Sequence, residues 1–173
     1  MVAVGVNLHE NSWPTVRYHL MEELRIYYNQ YVVMFSTKEC DDVQKRFDFF
    51  EDGFAPIENR MNMPERGFLI ASRYNVILHT LTTLGSMTYV PLRSSPPPLY
   101  DHKFITLGYV NNSHYVNVIL QGDYPMPTIA TQWFRYIFEC AVAWITLYIE
   151  RINYYALLRS NRSNCNVEEV VLE

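Results

Sequence analysis

A single α+β domain, a mostly antiparallel sheet covered by helices, is the fold class this sequence predicts, and three observations predict it. Apolar residues recur at helical spacing up to about Asn75. The period then shortens to brief β-prone runs separated by turn signals. A late stretch rich in aromatic residues returns to the helical period. No internal repeat and no linker divides the 173 residues.

The first helix is expected from Ser12 to about Tyr31. Trp13, Val16, Leu20, Leu24 and Tyr27 form its apolar stripe, and Arg17, Glu22 and Arg25 its polar face. Ser12 is placed to cap it, and Pro14 is tolerated because it lies in the first turn. Ser36 to Glu39 has the capping-box pattern, opening a helix with Val43, Phe47 and Phe50 inward and Gly53 at its end. After a loop from Phe54 to Met61, a third helix opens near Asn62 with Pro64 in its first turn. It buries Leu69, Ile70 and Tyr74 and ends at Asn75, a residue that tolerates left-handed backbone angles.

Val76 to Leu81 and Met87 to Leu92 read as strands around the turn Thr82 to Ser86. Arg93 to Pro98 must be loop, because its three prolines can neither donate to a ladder nor continue a helix. Lys103 to Val110 and Tyr115 to Leu120 flank Asn111-Asn112-Ser113 as a hairpin of mostly buried strands. Pro125 and Pro127 break the chain again. Thr131 to about Leu158 is expected to be one helix, with Trp133, Tyr136, Cys140, Trp144 and Leu147 on its apolar side. The expected boundaries are thus a folded domain over 1–158 and a polar, frayed tail over 159–173.

Composition bounds the partners. The chain is 49% apolar and 15% aromatic, which supplies a core and argues against disorder. Its net charge of −4 predicts no general attraction to nucleic acid or anionic lipid. Three scattered cysteines fit a reducing compartment better than a disulfide framework. Met1 to His9 lacks the pattern of a signal peptide, so the sequons at Asn111 and Asn161 read as chance. Cys140 to Ile149, an uncharged apolar stretch, is far too short to span a bilayer. The expectation is a soluble protein of cytoplasm or nucleus, with neither membrane nor nucleic acid as partner.

Few residues offer chemistry. His9, His19, His79 and His102 are dispersed, without HxH or HExxH spacing, so no metal is expected. With only six glycines there is no phosphate loop, and no cofactor is expected. Cys40 would lie in a helix's first turn, which lowers a thiol pKa, but Glu39, Asp41 and Asp42 oppose its thiolate. Cys140 falls on the apolar stripe and Cys165 in the tail, so all three read as buried or incidental thiols. His114, at the end of the hairpin, reads by spacing alone as a strand-end residue. Alternation puts it on one face with Val116 and Val118, and Tyr115 and Asn117 on the other.

Trp13 to Leu24, Met63 to Val76 and Gly108 to Val116, three segments in this order, resemble the OTU (ovarian tumour) family of cysteine peptidase domains, in the form carried by plant proteins of transposon-derived type. Trp13-Pro14-Thr15-Val16-Arg17, followed by Met21-Glu22-Glu23-Leu24, is similar to that family's W-x-x-V-R helix. Met63 to Val76 is similar to the helix that enters a strand through A-x-x-Y-N-V, here Ala71-Ser72-Arg73-Tyr74-Asn75-Val76. Gly108 to Val116 resembles the hairpin that presents the family's histidine. Pro91 to Pro98 and Pro127 to Trp133 look like the plant subgroup, and the likeness covers roughly residues 3 to 152.

The resemblance implies an OTU-like fold of the papain-like cysteine peptidase class and a modifier, ubiquitin or a ubiquitin-like protein, as partner. In such an enzyme a thiolate attacks the isopeptide carbonyl, and a histidine, here His114, serves as general base and then acid. The family's nucleophile lies in a D-G-x-C motif that this sequence does not contain, Ala3-Val4 aligning just after it. The expectation is an N-terminally truncated, inactive isopeptidase domain. A binding module without catalysis and a degenerate fragment without selected function stand as the alternatives. Some OTU domains place an acid or amide two residues after the histidine; here that position is Val116.

Overall fold

The computed structural model describes residues 2–9, 11–48, 65–111 and 114–168. Its N-terminal half is helical: α1 (Val2–Gly5), α2 (Trp13–Ile26), α3 (Tyr28–Phe35), α4 (Thr37–Phe47) and α5 (Glu65–Tyr74). Pro14 sits in the first turn of α2 as expected, but Ser12 makes no side-chain cap bond. The expected helix to Tyr31 breaks at Tyr27 (φ −111°, ψ 25°), and its second piece continues to Phe35. At α4, Ser36 Oγ accepts from the Glu39 amide (3.3 Å) and donates to the Glu39 carboxylate (3.3 Å). The capping box is therefore closed through the Ser36 hydroxyl rather than its amide. The expected Phe50, Gly53 and Pro64 positions lie outside the described residues.

Asn75 ends α5 as its sequence suggests. Its φ is +51°, and the next amide, Val76, returns to Ala71 O at 3.1 Å, the six-to-one bond of a Schellman cap. That reversal launches the sheet: β1 (Ile77–Leu81), β2 (Met87–Tyr89), β3 (Phe104–Val110) and β4 (His114–Asn117), in the order β2-β1-β3-β4. The outer pairs, β1–β2 and β3–β4, are antiparallel as expected, but the central pair β1–β3 is parallel. The sheet is mixed because β2 ends and β3 begins at one end, so the proline loop passes under the start of β1. There Ile77 N–H donates to Lys103 O at 2.9 Å.

The two faces of the sheet are covered differently. Tyr89, Leu78 and Ile105 lie side by side on one face, under the helices. Phe68 of α5 meets the Tyr89 ring edge-on at 5.1 Å, and Gly5 of α1 rests on Ile105. The opposite face carries His79, Thr88, Thr106 and Phe104 and is closed by the segment after β4 and by the C-terminal helices. β4 is the sheet's edge, and its residues are exposed or half-buried, not mostly buried as expected.

The late aromatic stretch departs most from expectation. Thr131 to Leu158 is not one helix. It divides into α6 (Trp133–Tyr136), a 3-10 turn (Glu139–Ala141), α7 (Ala143–Thr146) and α8 (Ile149–Glu168). The cause is tertiary. Trp133 and Trp144 donate their indole N–H groups to Pro91 O (3.0 Å) and Ser94 O (2.8 Å), while Phe138 N–H leaves the helical ladder for Leu92 O (2.9 Å). Eleven helical steps would separate the tryptophans by about 16 Å, but three extended residues span only about 10 Å. The chain must fold back. At its end α8 runs on past Arg159 to Glu168.

Arg93 projects from the same loop toward the helices. Its guanidinium donates to the Glu23 carboxylate and to Tyr31 Oη (3.1 Å), while Tyr31 donates to Glu23 at 2.9 Å. It also lies 3.8 Å over the Tyr27 ring. Burial draws the Arg93 pKa down to about 10, so it stays charged at neutral pH.

Two substitutions test these contacts. Arg93→Ala strands the buried Glu23 and is expected to cost about 3–5 kcal/mol in denaturant unfolding, whereas the Arg93→Met/Glu23→Leu double variant costs much less. Equal losses in both would show that the charge is not what matters. Gly67→Ala puts a methyl 2.6 Å from the Tyr89 ring. Overpacking of about 1–3 kcal/mol then outweighs the helix-propensity gain of about 1 kcal/mol, and the melting temperature should fall.

Candidate functional site

His114 opens β4. The register pairs it with Val110, Tyr115 with Tyr109, Val116 with Gly108 and Asn117 with Leu107. Asn111 adopts φ +51° where the chain leaves β3. The alternation expected from sequence holds. Tyr109 and Tyr115 meet at 4.9 Å on one face, while Val116 and Val118 press on the bare Cα of Gly108 on the other. His114 shares the Gly108 face, opposite Ile105 and α1. Its side chain is exposed. Val116, next to it on that face, has no polar side-chain atom, and Asn117 points away.

Cys40 and Cys140 lie elsewhere. Cys40 is buried among Leu24, Tyr31, Phe35, Val43 and Leu69, in the space between α2, α3, α4 and α5. Cys140 is exposed in the 3-10 turn, not on a helical stripe, and its thiol donates to Arg93 O at 3.1 Å. Among the described residues no three His, Cys, Asp or Glu side chains converge as a metal site requires, and no helix is long and apolar enough to cross a membrane.

Two histidines dismissed by their spacing prove to be organised. His79 is 0% exposed. Its Nδ1 lies 2.9 Å from Thr88 Oγ1 and its Nε2 2.9 Å from Tyr124 Oη. Thr88 commits its only hydroxyl proton to Pro127 O at 2.7 Å, so it must accept from Nδ1–H. In a neutral ring Nε2 then accepts from the Tyr124 hydroxyl. Arg151 of α8 closes the cluster, donating Nε–H to Tyr124 O at 2.9 Å and lying 4.2 Å over the Tyr124 ring. Its Nη2 is buried with no hydrogen-bond partner among the described residues, so aromatic faces carry its charge. Nearby, His102 donates Nε2–H to Pro97 O (2.8 Å) and takes the Tyr148 hydroxyl proton on Nδ1.

His79 and Thr88, at the centre of this cluster, are fully buried. The cluster pins the segment around Tyr124, and α8, to the sheet, and so acts as a clasp rather than a reaction site. The one hint in the sequence is a histidine inside the apolar run Val76–Leu81, which burial obliges to find partners. The partners themselves, dozens of residues away, carry no local signal.

Protein-family models, curated proteins and solved structures were all compared with this chain, and none matches it.

Burial, helped by the Arg151 charge, pushes the His79 pKa down to about 3. The unfolded chain therefore binds a proton below pH ~6.5 that the native state refuses, and stability contributed by neutral His79 is lost as pH falls from there toward 3. In nitrogen–proton NMR spectra the ring should remain the neutral Nδ1–H tautomer from pH 7.5 to 5. Titration near the ordinary histidine value would contradict the clasp.

Proposed function

We propose that this chain is an OTU-like domain of the ubiquitin isopeptidase class, in which His114 occupies the place of the general base and acid, and that these 173 residues alone do not cleave. The observation that carries the reading is His114 itself: an exposed histidine at the first position of the hairpin's second strand, where the resemblance requires one. The Schellman-capped junction from α5 into β1 supports it, since it falls on the Ala71 to Val76 segment of the likeness. The mixed α+β layering is compatible with such a domain.

Hydrolysis of an isopeptide in this class starts from a thiolate, which the histidine stabilises as its cation and to whose leaving group it returns the proton. No D-G-x-C occurs in the sequence. Cys40 is buried, and the Cys140 thiol is turned onto a carbonyl. Without a thiolate the imidazole of His114 can only polarise water, which gains little over bulk. The retained surface leaves recognition of ubiquitin, or of a related modifier, as the activity of the chain by itself.

A ubiquitin probe with a C-terminal electrophile separates these statements. The 173-residue chain is expected to give no adduct. A version carrying a D-G-x-C segment grafted at its N-terminus should react, and His114→Ala should abolish that reaction. Labelling of the unmodified chain that Cys40→Ser removes would refute the non-cleaving reading. A grafted, folded protein that never labels would sink the OTU reading itself.

A further inference from the structure

The proline loop ends in a segment that the proposed function does not use. Pro97-Pro98-Leu99-Tyr100 has the order proline-proline-x-tyrosine, preceded by Pro96. Pro98 has φ −54° and ψ 146°, in the polyproline II region. One 3-10 turn follows, Leu99–Asp101, closed by Asp101 N–H to Pro98 O at 2.9 Å and His102 N–H to Leu99 O at 3.2 Å. Pro98 is exposed, Leu99 is 62% exposed and Tyr100 is 85% exposed.

An isolated exposed apolar residue is ordinary. These are contiguous, and the backbone beneath them is held from both sides. Ser94 Oγ donates to Asn75 Oδ1 at 2.6 Å, and Ser94 O accepts from Trp144 at 2.8 Å. On the far side, Pro97 O accepts from His102 Nε2 at 2.8 Å. Pro96 and Pro97 are half-buried against this frame, while Pro98 and the two residues after it turn outward. The ordering entropy of the segment is thus spent in folding, not in binding.

We infer that residues 96–100 are a docking epitope for a small domain of the WW class, whose aromatic-lined groove reads polyproline II backbone. Proline rings stack in that groove, and Tyr100 fills the neighbouring pocket. The spacing favours this class over an SH3 domain, because no P-x-x-P occurs in the loop. Nothing in the inference rests on the isopeptidase reading. It concerns a different surface and a different partner.

The test titrates a nitrogen-15-labelled WW domain of Pro-Pro-x-Tyr specificity with the whole 173-residue chain. Saturable shifts of the groove aromatics are expected. Tyr100→Ala and Pro98→Ala should each weaken binding by about tenfold or more, as removal of an anchor residue does. Because Tyr100 projects into solvent, its variant should melt like the parent. Leu84→Ala, at a 96% exposed site in another turn, should bind unchanged. Absence of shifts, or equal affinity for Tyr100→Ala, overturns the inference. So does binding by a free 94–102 peptide but not by the folded chain, since the fold would then conceal the epitope.

Discussion

Consecutive carbonyls from Pro91 to Ser94 hold the C-terminal part of this protein. Pro91 O takes the Trp133 indole, Leu92 O the Phe138 amide, Arg93 O the Cys140 thiol and Ser94 O the Trp144 indole. From the other side of the same strip, Leu92 N–H donates to Ser72 Oγ at 3.2 Å, and the Arg93 side chain enters the Glu23–Tyr31 pair. A loop that leaves a sheet exposes carbonyls that need partners once buried. Here those partners come from the segment that would otherwise wind into a single helix. One backbone strip thereby determines where the tryptophans lie, where the late helices break and how α2 and α3 are held.

The polar groups buried in this arrangement are satisfied in short, directional chains. Glu23 is shared by Tyr31 and Arg93, and His79 by Thr88 and Tyr124. Each chain joins elements far apart in sequence, and each has a defined direction of proton donation. Such chains contribute modest net stability when complete and are costly when one member is removed. They therefore serve more to specify which elements meet than to supply the bulk of the folding energy, which comes from residues such as Leu20, Phe68, Leu78 and Trp133 in the core.

His114 occupies a different physical setting. It stands on the edge strand with its side chain exposed, and its same-face neighbour Val116 has no polar side-chain atom. A histidine used in catalysis needs its tautomer and orientation held by another group. The rings of His79 and His102 are held by hydrogen bonds at both nitrogens; His114 is exposed at the edge of the sheet. The proline-tyrosine turn lies in a third setting, a rigid backbone with exposed side chains, which suits recognition rather than chemistry.

Much of the local structure was written in the sequence. The Schellman cap at Asn75, the Ser36–Glu39 capping pair, the turn between β1 and β2, the proline loop and the alternation of His114 and Tyr115 all depend on residues within a few positions of one another. Backbone sterics and one or two local hydrogen bonds decide them. His114 became a candidate through the resemblance of the segment around it, since its spacing alone gives only a strand-end residue. The parallel β1–β3 pairing, the break at Tyr27, the division of residues 131–158 and the clasp at His79 were decided only by the tertiary structure. In each, a donor or an apolar side chain that would suit a regular element finds a partner dozens of residues away. Periodicity reports which side of an element is apolar; it carries no information about which distant carbonyl will compete for an amide or an indole proton.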